Sequence, residues 1–138
     1  QTRIPVYLSQ LNGGTSTWIY LHFAQIQQAQ RAVHFDYGNP ITNLRKYGSM
    51  SPLPYNYSRI HTEIYLFWSR NDWLATPEDI EKILIPSMPK GVIKDSFEVP
   101  EYNHLDFGIA TTAGDRIYRP IIEIIRKDHH IPLCAAKN

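Results

Sequence analysis

The sequence predicts an α/β fold in which parallel strands alternate with helices. Two segments indicate the strands, the apolar run Ile64–Trp68 and a shorter strand-like run at residues 97–99, and a helix start lies between them. An unbroken apolar run of five residues suits a strand that is buried on both faces of a parallel sheet. At 138 residues, the chain is long enough for one modest domain with a sizeable core.

The first predicted helix begins near Gly14. Thr15 or Ser16 can serve as its N-cap, and the helix is predicted to continue to about Arg31. Five apolar residues recur along it at helical spacing, and we expect this stripe to pack against the protein: Ile19, Phe23, Ile26, Ala29 and Val33. Three other side chains lie off the stripe, and surface packing and lipid contact are the alternatives for them: Trp18, Tyr20 and His22.

Residues 36–59 are predicted to form a long irregular loop, because glycine, proline and serine recur through them. Asn56, Tyr57 and Ser58 form a glycosylation sequon, which makes Asn56 a candidate for glycosylation in a surface loop of a secreted protein. Such short sequons also arise by chance, so modification of Asn56 stays open.

A helix is predicted between the two strands. Thr76 is a suitable N-cap and Pro77 suits the first helical position, while Pro86 and Pro89 are expected to end the helix. A further helix is predicted after the second strand, where isoleucines repeat at helical spacing within residues 117–125. The proline at position 120 must either open that helix or kink it, because it lacks an amide hydrogen.

An acid and a histidine each follow one predicted strand. Asp72 comes after Ile64–Trp68 and His104 comes after residues 97–99, and groups beyond the carboxyl ends of such strands tend to meet in one crevice. In a nucleophilic triad, a carboxylate orients an imidazole that takes a proton from serine. The order serine, acid, histidine of α/β-hydrolases agrees with these positions. Asp72 is preferred to Asp106 as the acid, because a neighbour of His104 in an extended loop points elsewhere. From these residues alone, two ordinary loop side chains remain the alternative.

Two longer motifs resemble the C-terminal part of the gastric and lysosomal acid lipase family. They are SRNDWLATPEDI at residues 69–80 and YNHLDF at residues 102–107, with shorter matches upstream at residues 7–9, 14–16, 35–38 and 54–56. The chain departs from the family at Ser69-Arg70, where glycines are usual, which leaves the loop geometry there open.

The resemblance implies the C-terminal part of an α/β-hydrolase fold with an incomplete sheet. Residues 1–58 would be the end of a helical cap (lid) domain and its return loop, residues 59–128 the C-terminal part of the core, and residues 129–138 a tail. It also implies hydrolysis of neutral lipid esters, either triglyceride or steryl ester. Asp72 would orient His104, and His104 would act as general base and then general acid.

The serine nucleophile is not expected in this chain, because the sequence contains no GxSxG motif. We therefore expect a chain entered in the middle, inactive alone, whose partners are a lipid ester and an N-terminal part of the same protein. Contact with a lipid surface and a secreted or lysosomal location are implied by the resemblance. The alternative is a truncated, non-catalytic paralogue that binds lipid or a partner.

Other classes of function are disfavoured. A formal charge of +1 with interspersed signs argues against a nucleic-acid-binding surface, and no apolar run is long enough for a membrane span. The start of the chain lacks the features of a signal peptide. No cofactor or metal is expected, since there is no phosphate-binding glycine loop and His129, His130 and Cys134 lack a second ligand pair.

Overall fold

A computed structural model describes residues 4–11 and 13–130, and the chain divides into two compact units, Gln1–Arg59 and Ile60–Asn138. The described residues of the first unit form three α-helices and a short 3₁₀ turn: α1 Ile4–Leu11, α2 Thr17–Ala29, α3 Pro40–Tyr47 and the turn Tyr57–Arg59. Those of the second unit form two strands and three α-helices: β1 Ile64–Trp68, α4 Ile85–Ser87, β2 Ile93–Glu98, α5 Asp106–Ile109 and α6 Arg119–Asp128. Two π-helical segments, Asp79–Leu84 and Gly114–Tyr118, lead into α4 and α6.

Helix α2 starts where the capping signal predicts. The Ser16 backbone is extended, and its hydroxyl accepts a hydrogen bond from the amide of Trp18 at 3.2 Å. The helix ends at Ala29, earlier than expected, because Gln30 takes a left-handed conformation with φ 51°. A left-handed residue stops the helical hydrogen-bond pattern, so Arg31 lies outside the helix.

The predicted packing face of α2 is wrong. Ile19 and Phe23 of the expected stripe are 61% and 55% exposed, whereas His22, which was placed off the stripe, is partly buried. Trp18 lies against Phe35 with ring centroids 4.9 Å apart, and His22 donates from Nε2 to the carbonyl of Val33 at 2.8 Å.

Hydrogen bonding explains the choice of face on α2. Gln25 donates to the carbonyl of Asp36 and accepts from its amide, each at 2.9 Å. The segment beside α2 has backbone groups that require partners once they are covered, and an apolar stripe cannot supply those partners. The side of the helix that carries His22 and Gln25 therefore faces this segment.

Residues 36–59 are not a loop throughout, because α3 occupies Pro40–Tyr47. The side chain of Asn39 accepts hydrogen bonds from the amides of Ile41 and Thr42, and Gly48 ends the helix with φ 73°. An asparagine cap, a proline at the first position and a terminal glycine are helix signals that outweigh the turn-rich composition. The prediction of an irregular loop is therefore wrong for Pro40–Tyr47.

Asn43 of α3 anchors the turn that precedes the helix. Its side chain is almost fully buried, and its amide donates to Asp36 Oδ1 at 2.9 Å and to the carbonyl of Met50 at 3.2 Å. Its oxygen accepts from the amide of Tyr37 at 3.1 Å. The buried amide of Asn43 thus holds the segments on both sides of α3. Hydrogen bonds from Asn43 and from the Gly38 amide also lower the pKa of Asp36.

Strands β1 and β2 form a parallel two-stranded sheet, as the α/β prediction requires. The register pairs Ile64 with Ile93 and Trp68 with Glu98, and Phe67 and Phe97 stack with ring centroids 4.7 Å apart. β2 begins at Ile93, earlier than the predicted segment 97–99, because its exposed polar residues hide the strand from an apolar pattern.

Both π-helical segments precede a proline. Asp79–Leu84 leads to Pro86, and Gly114–Tyr118 leads to Pro120. A proline in a regular helix clashes with the carbonyl four residues earlier and cannot donate to it, and a wider turn relieves that crowding. Pro120 therefore lies in the first turn of α6, which is the first of the two outcomes expected for it, and Pro86 does not end its helix, which continues to Ser87.

The core of the second unit lies beside the segment that carries the histidine. Val99, Tyr102 and Ile117 are buried together, with Phe67 and Phe107 packed against them. The rings of Tyr102 and Phe107 meet edge to face, with centroids 5.4 Å apart. The segment after β2 is thus fixed by apolar packing immediately before His104.

Candidate active site

Asp72 lies in the first loop, residues 69–76, which follows β1. The carboxylate is only 5% exposed, and its Oδ1 accepts hydrogen bonds from the amides of Leu74 at 2.8 Å and Ala75 at 2.9 Å. Two backbone donors on one oxygen hold the carboxylate still and leave Oδ2 to face another group. The local turn therefore fixes the direction of Oδ2.

His104 lies in the second loop, residues 99–105, which follows β2. Its Nδ1 is 2.9 Å from Asp72 Oδ2, and because an ionised carboxylate can only accept, Nδ1 is the donor. The histidine side chain is 49% exposed, in contrast to its buried partner. Nε2 has no hydrogen bond within the described residues, so in neutral His104 it presents a lone pair. Asp72 and His104 are called the Asp–His pair below.

The environment keeps Asp72 ionised. Burial raises the pKa of Asp72, but hydrogen bonds from the Ala75 amide, His104 and the Leu74 amide together outweigh burial, and the pKa lies below its ordinary value. An ionised Asp72 retains an acceptor for Nδ1–H, which fixes one tautomer of His104. The pair is therefore poised to present Nε2 as a base.

Within the described residues, Asp106 forms no hydrogen bond with the ring of His104. Its Oδ2 accepts from the amide of Asn103 at 2.9 Å, and Asn103 Oδ1 in turn accepts from the amide of Leu105 at 3.2 Å. These bonds close the turn on both sides of His104. Of the two acids considered from sequence, Asp72 is the one that the structure brings to the imidazole.

Ser69 is a site residue that the sequence did not reveal. It is completely buried, and its hydroxyl donates to the carbonyl of Tyr102 at 2.5 Å. Ser69 begins the motif at residues 69–80 and departs there from the acid lipase pattern, but neither fact predicts a buried hydroxyl. The hydrogen bond of Ser69 depends on the position of Tyr102 in the second loop, which the residues around Ser69 do not determine.

The glycosylation candidate lies on the surface. Asn56 is exposed, and its Oδ1 accepts from the amide of Ser58 at 3.0 Å and from its hydroxyl at 2.5 Å. In residues 4–11 and 13–130, no group of three or more histidine, cysteine or acidic side chains could hold a metal ion. Cys134 lies outside the described residues, as do residues 131–138 of the expected tail.

No helix in the described part of the chain is both long and apolar enough to cross a membrane. An apolar groove of about 260 Å³ lies between β1 and α6, and its lining does not include the Asp–His pair: Tyr65, Phe67, Ile121, Ile124 and Ile125. The Asp–His pair, with its buried aspartate and half-exposed histidine, therefore lies outside that groove.

The fold and the site define an α/β protein that carries a hydrogen-bonded aspartate and histidine beyond the ends of two parallel strands. The chain is 38% identical over 130 residues to lipase lipl-5 of Caenorhabditis elegans, which is 94% of this chain. It is 32% identical over 127 residues to human gastric triacylglycerol lipase and 32% identical over 126 residues to mouse lipase member K. No protein-family model matches the chain.

The matches cover 91–94% of the chain but only 31–32% of these relatives, so the chain spans about a third of their length. The chain is therefore related to the lysosomal and gastric acid lipase family and matches its C-terminal portion.

Proposed function

We propose that this chain supplies the acid and the base of a Ser/Asp/His triad in a lipase-like carboxylic ester hydrolase that acts on neutral lipids. One observation carries the proposal: His104 Nδ1 and Asp72 Oδ2 are 2.9 Å apart at the carboxyl ends of parallel strands. The relationship to lipases, including gastric triacylglycerol lipases, supports an ester of glycerol as the substrate. A steryl ester is the alternative that the sequence motifs imply.

The proposed chemistry follows from the orientation of the ring. With the Nδ1 proton directed at Asp72, Nε2 of His104 takes the proton of a serine hydroxyl as the serine oxygen attacks the ester carbonyl. The imidazolium then gives this proton to the departing alcohol, leaving an acyl-enzyme. Water repeats the sequence and releases the fatty acid. The serine and the oxyanion donors would come from the N-terminal part of the same protein.

Exposure supports this division of roles. A base must reach the serine and the substrate, and His104 is half exposed, whereas Asp72 is buried and contacts only groups that orient or stabilise it. A carboxylate with backbone donors on one oxygen is well suited to hold a charged imidazole, because it stays ionised during the reaction.

The organisation expected from the resemblance belongs to the same proposal. Residues 1–58 would be the end of a cap domain with its return path, residues 59–128 the C-terminal part of an α/β-hydrolase core, and residues 129–138 a tail. The protein would be secreted or lysosomal, and glycosylation at the exposed Asn56 would agree with that route.

A non-catalytic module is the second candidate, and exposed apolar side chains on α2 favour it. Ile19, Tyr20 and Phe23 are more than half exposed, which gives the first unit a surface that lipid or a protein partner could cover. A truncated paralogue of this kind would bind without turnover. The absence of a GxSxG motif from the 138-residue sequence is compatible with it.

The test is ester hydrolysis by the full-length gene product, with emulsified triglyceride and steryl ester as substrates. His104→Ala removes the proposed base, and turnover should fall by about 10⁶-fold, as in other serine triads. His61→Ala is the matched control, because His61 is an exposed histidine of the same unit. Retention of turnover by His104→Ala would refute the triad role, and a folded wild-type product without turnover would favour the binding module.

A further inference from the structure

Three consecutive side chains, Ser69 to Asn71, tie the first loop to the region that carries His104. Ser69 donates to the carbonyl of Tyr102 at 2.5 Å, and Asn71 Nδ2 donates to the carbonyl of Pro100 at 2.6 Å. Ser69 also accepts from the amide of Asn71 at 3.1 Å, which shapes the first loop itself. Arg70, between them, reaches the end of β2.

Arg70 and Glu98 form a two-pronged ion pair. Arg70 Nη2 lies 2.6 Å from Glu98 Oε2, and Arg70 Nε contacts Glu98 Oε1. The hydrogen bonds that Arg70 donates to Glu98 raise the pKa of Arg70 and lower the pKa of Glu98, so both groups are charged over a wide range of pH. A guanidinium that binds both carboxylate oxygens fixes direction as well as distance.

The backbone hydrogen bonds of the sheet do not join the first loop to the second loop. The sheet's last backbone hydrogen bond runs from the amide of Val99 to the carbonyl of Trp68 at 2.8 Å. Among residues 4–11 and 13–130, no backbone hydrogen bond joins the first loop to the second loop beyond that point. Side chains therefore carry the connection between the two loops.

We propose that the ion pair of Arg70 and Glu98 is a positioning device for the Asp–His pair. The proposal rests on the function proposed above and deepens it, because it names residues that act through the base without touching the substrate. Ser69 and Asn71 share the role, but Ser69 is buried and its loss would disturb packing. The ion pair, in which Arg70 is exposed and Glu98 is partly buried, is the part that can be altered without unfolding the protein.

Distance explains why positioning matters. Asp72 and His104 are 32 residues apart in the chain and are joined by a single hydrogen bond of 2.9 Å between two irregular loops. Such a bond weakens steeply when its atoms separate by about 0.5 Å, and a catalytic geometry tolerates errors of about the same size. A small drift of the first loop would release the Nδ1 proton to solvent and free the imidazole to change tautomer.

The experiment uses the full-length gene product with ¹⁵N-labelled histidine. The single variants are Arg70→Gln and Glu98→Gln, and the rescue is the exchange Arg70→Glu with Glu98→Arg. Lys94 and Glu63 provide the matched control, since they form a second ion pair, of 2.9 Å, at the opposite end of the two strands. The control variants are Lys94→Gln and Glu63→Gln.

The readouts are the solvent-exchange rate of the His104 Nδ1 proton, the tautomer shown by the ring ¹⁵N shifts, and the kcat and KM for ester hydrolysis. Each single variant should speed proton exchange by about three- to five-fold, the size expected of an exposed ion pair. kcat should fall with KM unchanged, and the exchanged pair should restore both the proton-exchange rate and kcat. High salt should reduce the difference between the wild type and the single variants, because it screens the ion pair.

An unchanged Nδ1 proton in both single variants, or an equal effect of the control variants, would overturn the proposal while leaving the triad role intact. Faster proton exchange with no ester hydrolysis by the wild-type product would uphold the positioning device and reject the catalytic proposal. Thermal denaturation of each variant, with the same Tm as the wild type, separates positioning from a general loss of stability.

Discussion

Asp72→Asn is the substitution that tests the orientation of the base most directly. Oδ1 of Asp72 accepts from two backbone amides, and an asparagine oxygen can keep both hydrogen bonds. The amide nitrogen of the new side chain then faces His104 Nδ1, where the carboxylate oxygen had been. Two donors cannot share a hydrogen, so Nδ1 becomes the acceptor and the ring proton moves to Nε2.

That change of tautomer removes the lone pair that would accept the serine proton. Turnover should fall by about 10⁴-fold, as it does when the acid of another serine triad is made an amide. The loss is equivalent to about 5 kcal/mol of transition-state stabilisation. The fold should survive, because the substitution keeps the size of the side chain and the two backbone hydrogen bonds.

The assay is fatty-acid release by the full-length gene product, with tautomer assignment from the ¹⁵N shifts of His104. Asp106→Asn is the control, because Asp106 binds the amide of Asn103 and has no described hydrogen bond to the ring. Its effect on turnover should be within about ten-fold of wild type. Equal losses in the two variants would show that Asp72 is not the orienting acid, and an unchanged tautomer in Asp72→Asn would refute the explanation.

Two further predictions concern stability. The pKa of Asp72 lies below its ordinary value of 3.8, so its stabilising effect is present above that pH and is lost as the pH falls through the lower folded-state value. The free energy of unfolding of the wild type should therefore decline more steeply below about pH 4 than that of Asp72→Asn, and parallel curves in urea titrations would contradict this. Asn39→Ala should lower the free energy of unfolding by about 1 kcal/mol through loss of the α3 cap, whereas Asn39→Asp, which keeps an acceptor, should not.

Local signals in the sequence were sufficient for the ends of several elements. Ser16 caps α2, and Thr76 accepts from the amide of Asp79 at 3.3 Å, as expected of a helix start. The apolar run Ile64–Trp68 is a strand of the expected parallel sheet. These features depend on short-range chemistry, which neighbouring residues determine.

Features that depend on distant partners could not be predicted in the same way. The buried side of α2 is the one that satisfies the backbone around Val33 and Asp36, and no periodicity within the helix contains that information. The meeting of Asp72 and His104 was predicted from two signals together, the common edge at which parallel strands end and the resemblance to the acid lipase family. The hydrogen bond from Ser69 to Tyr102 could not be predicted, because the partner lies in the second loop.

The parallel pairing of β1 and β2 also sets an order on folding. Parallel strands cannot be joined by a tight turn, so the chain from Trp68 to Ile93 must close a loop before the first interstrand hydrogen bond forms. The helical residues 77–87 shorten that loop as they coil. Asp72 and His104 are brought to the same edge of the sheet only when the strands pair, so their hydrogen bond forms after the pairing. The appearance of this hydrogen bond during refolding therefore reports that the sheet is complete.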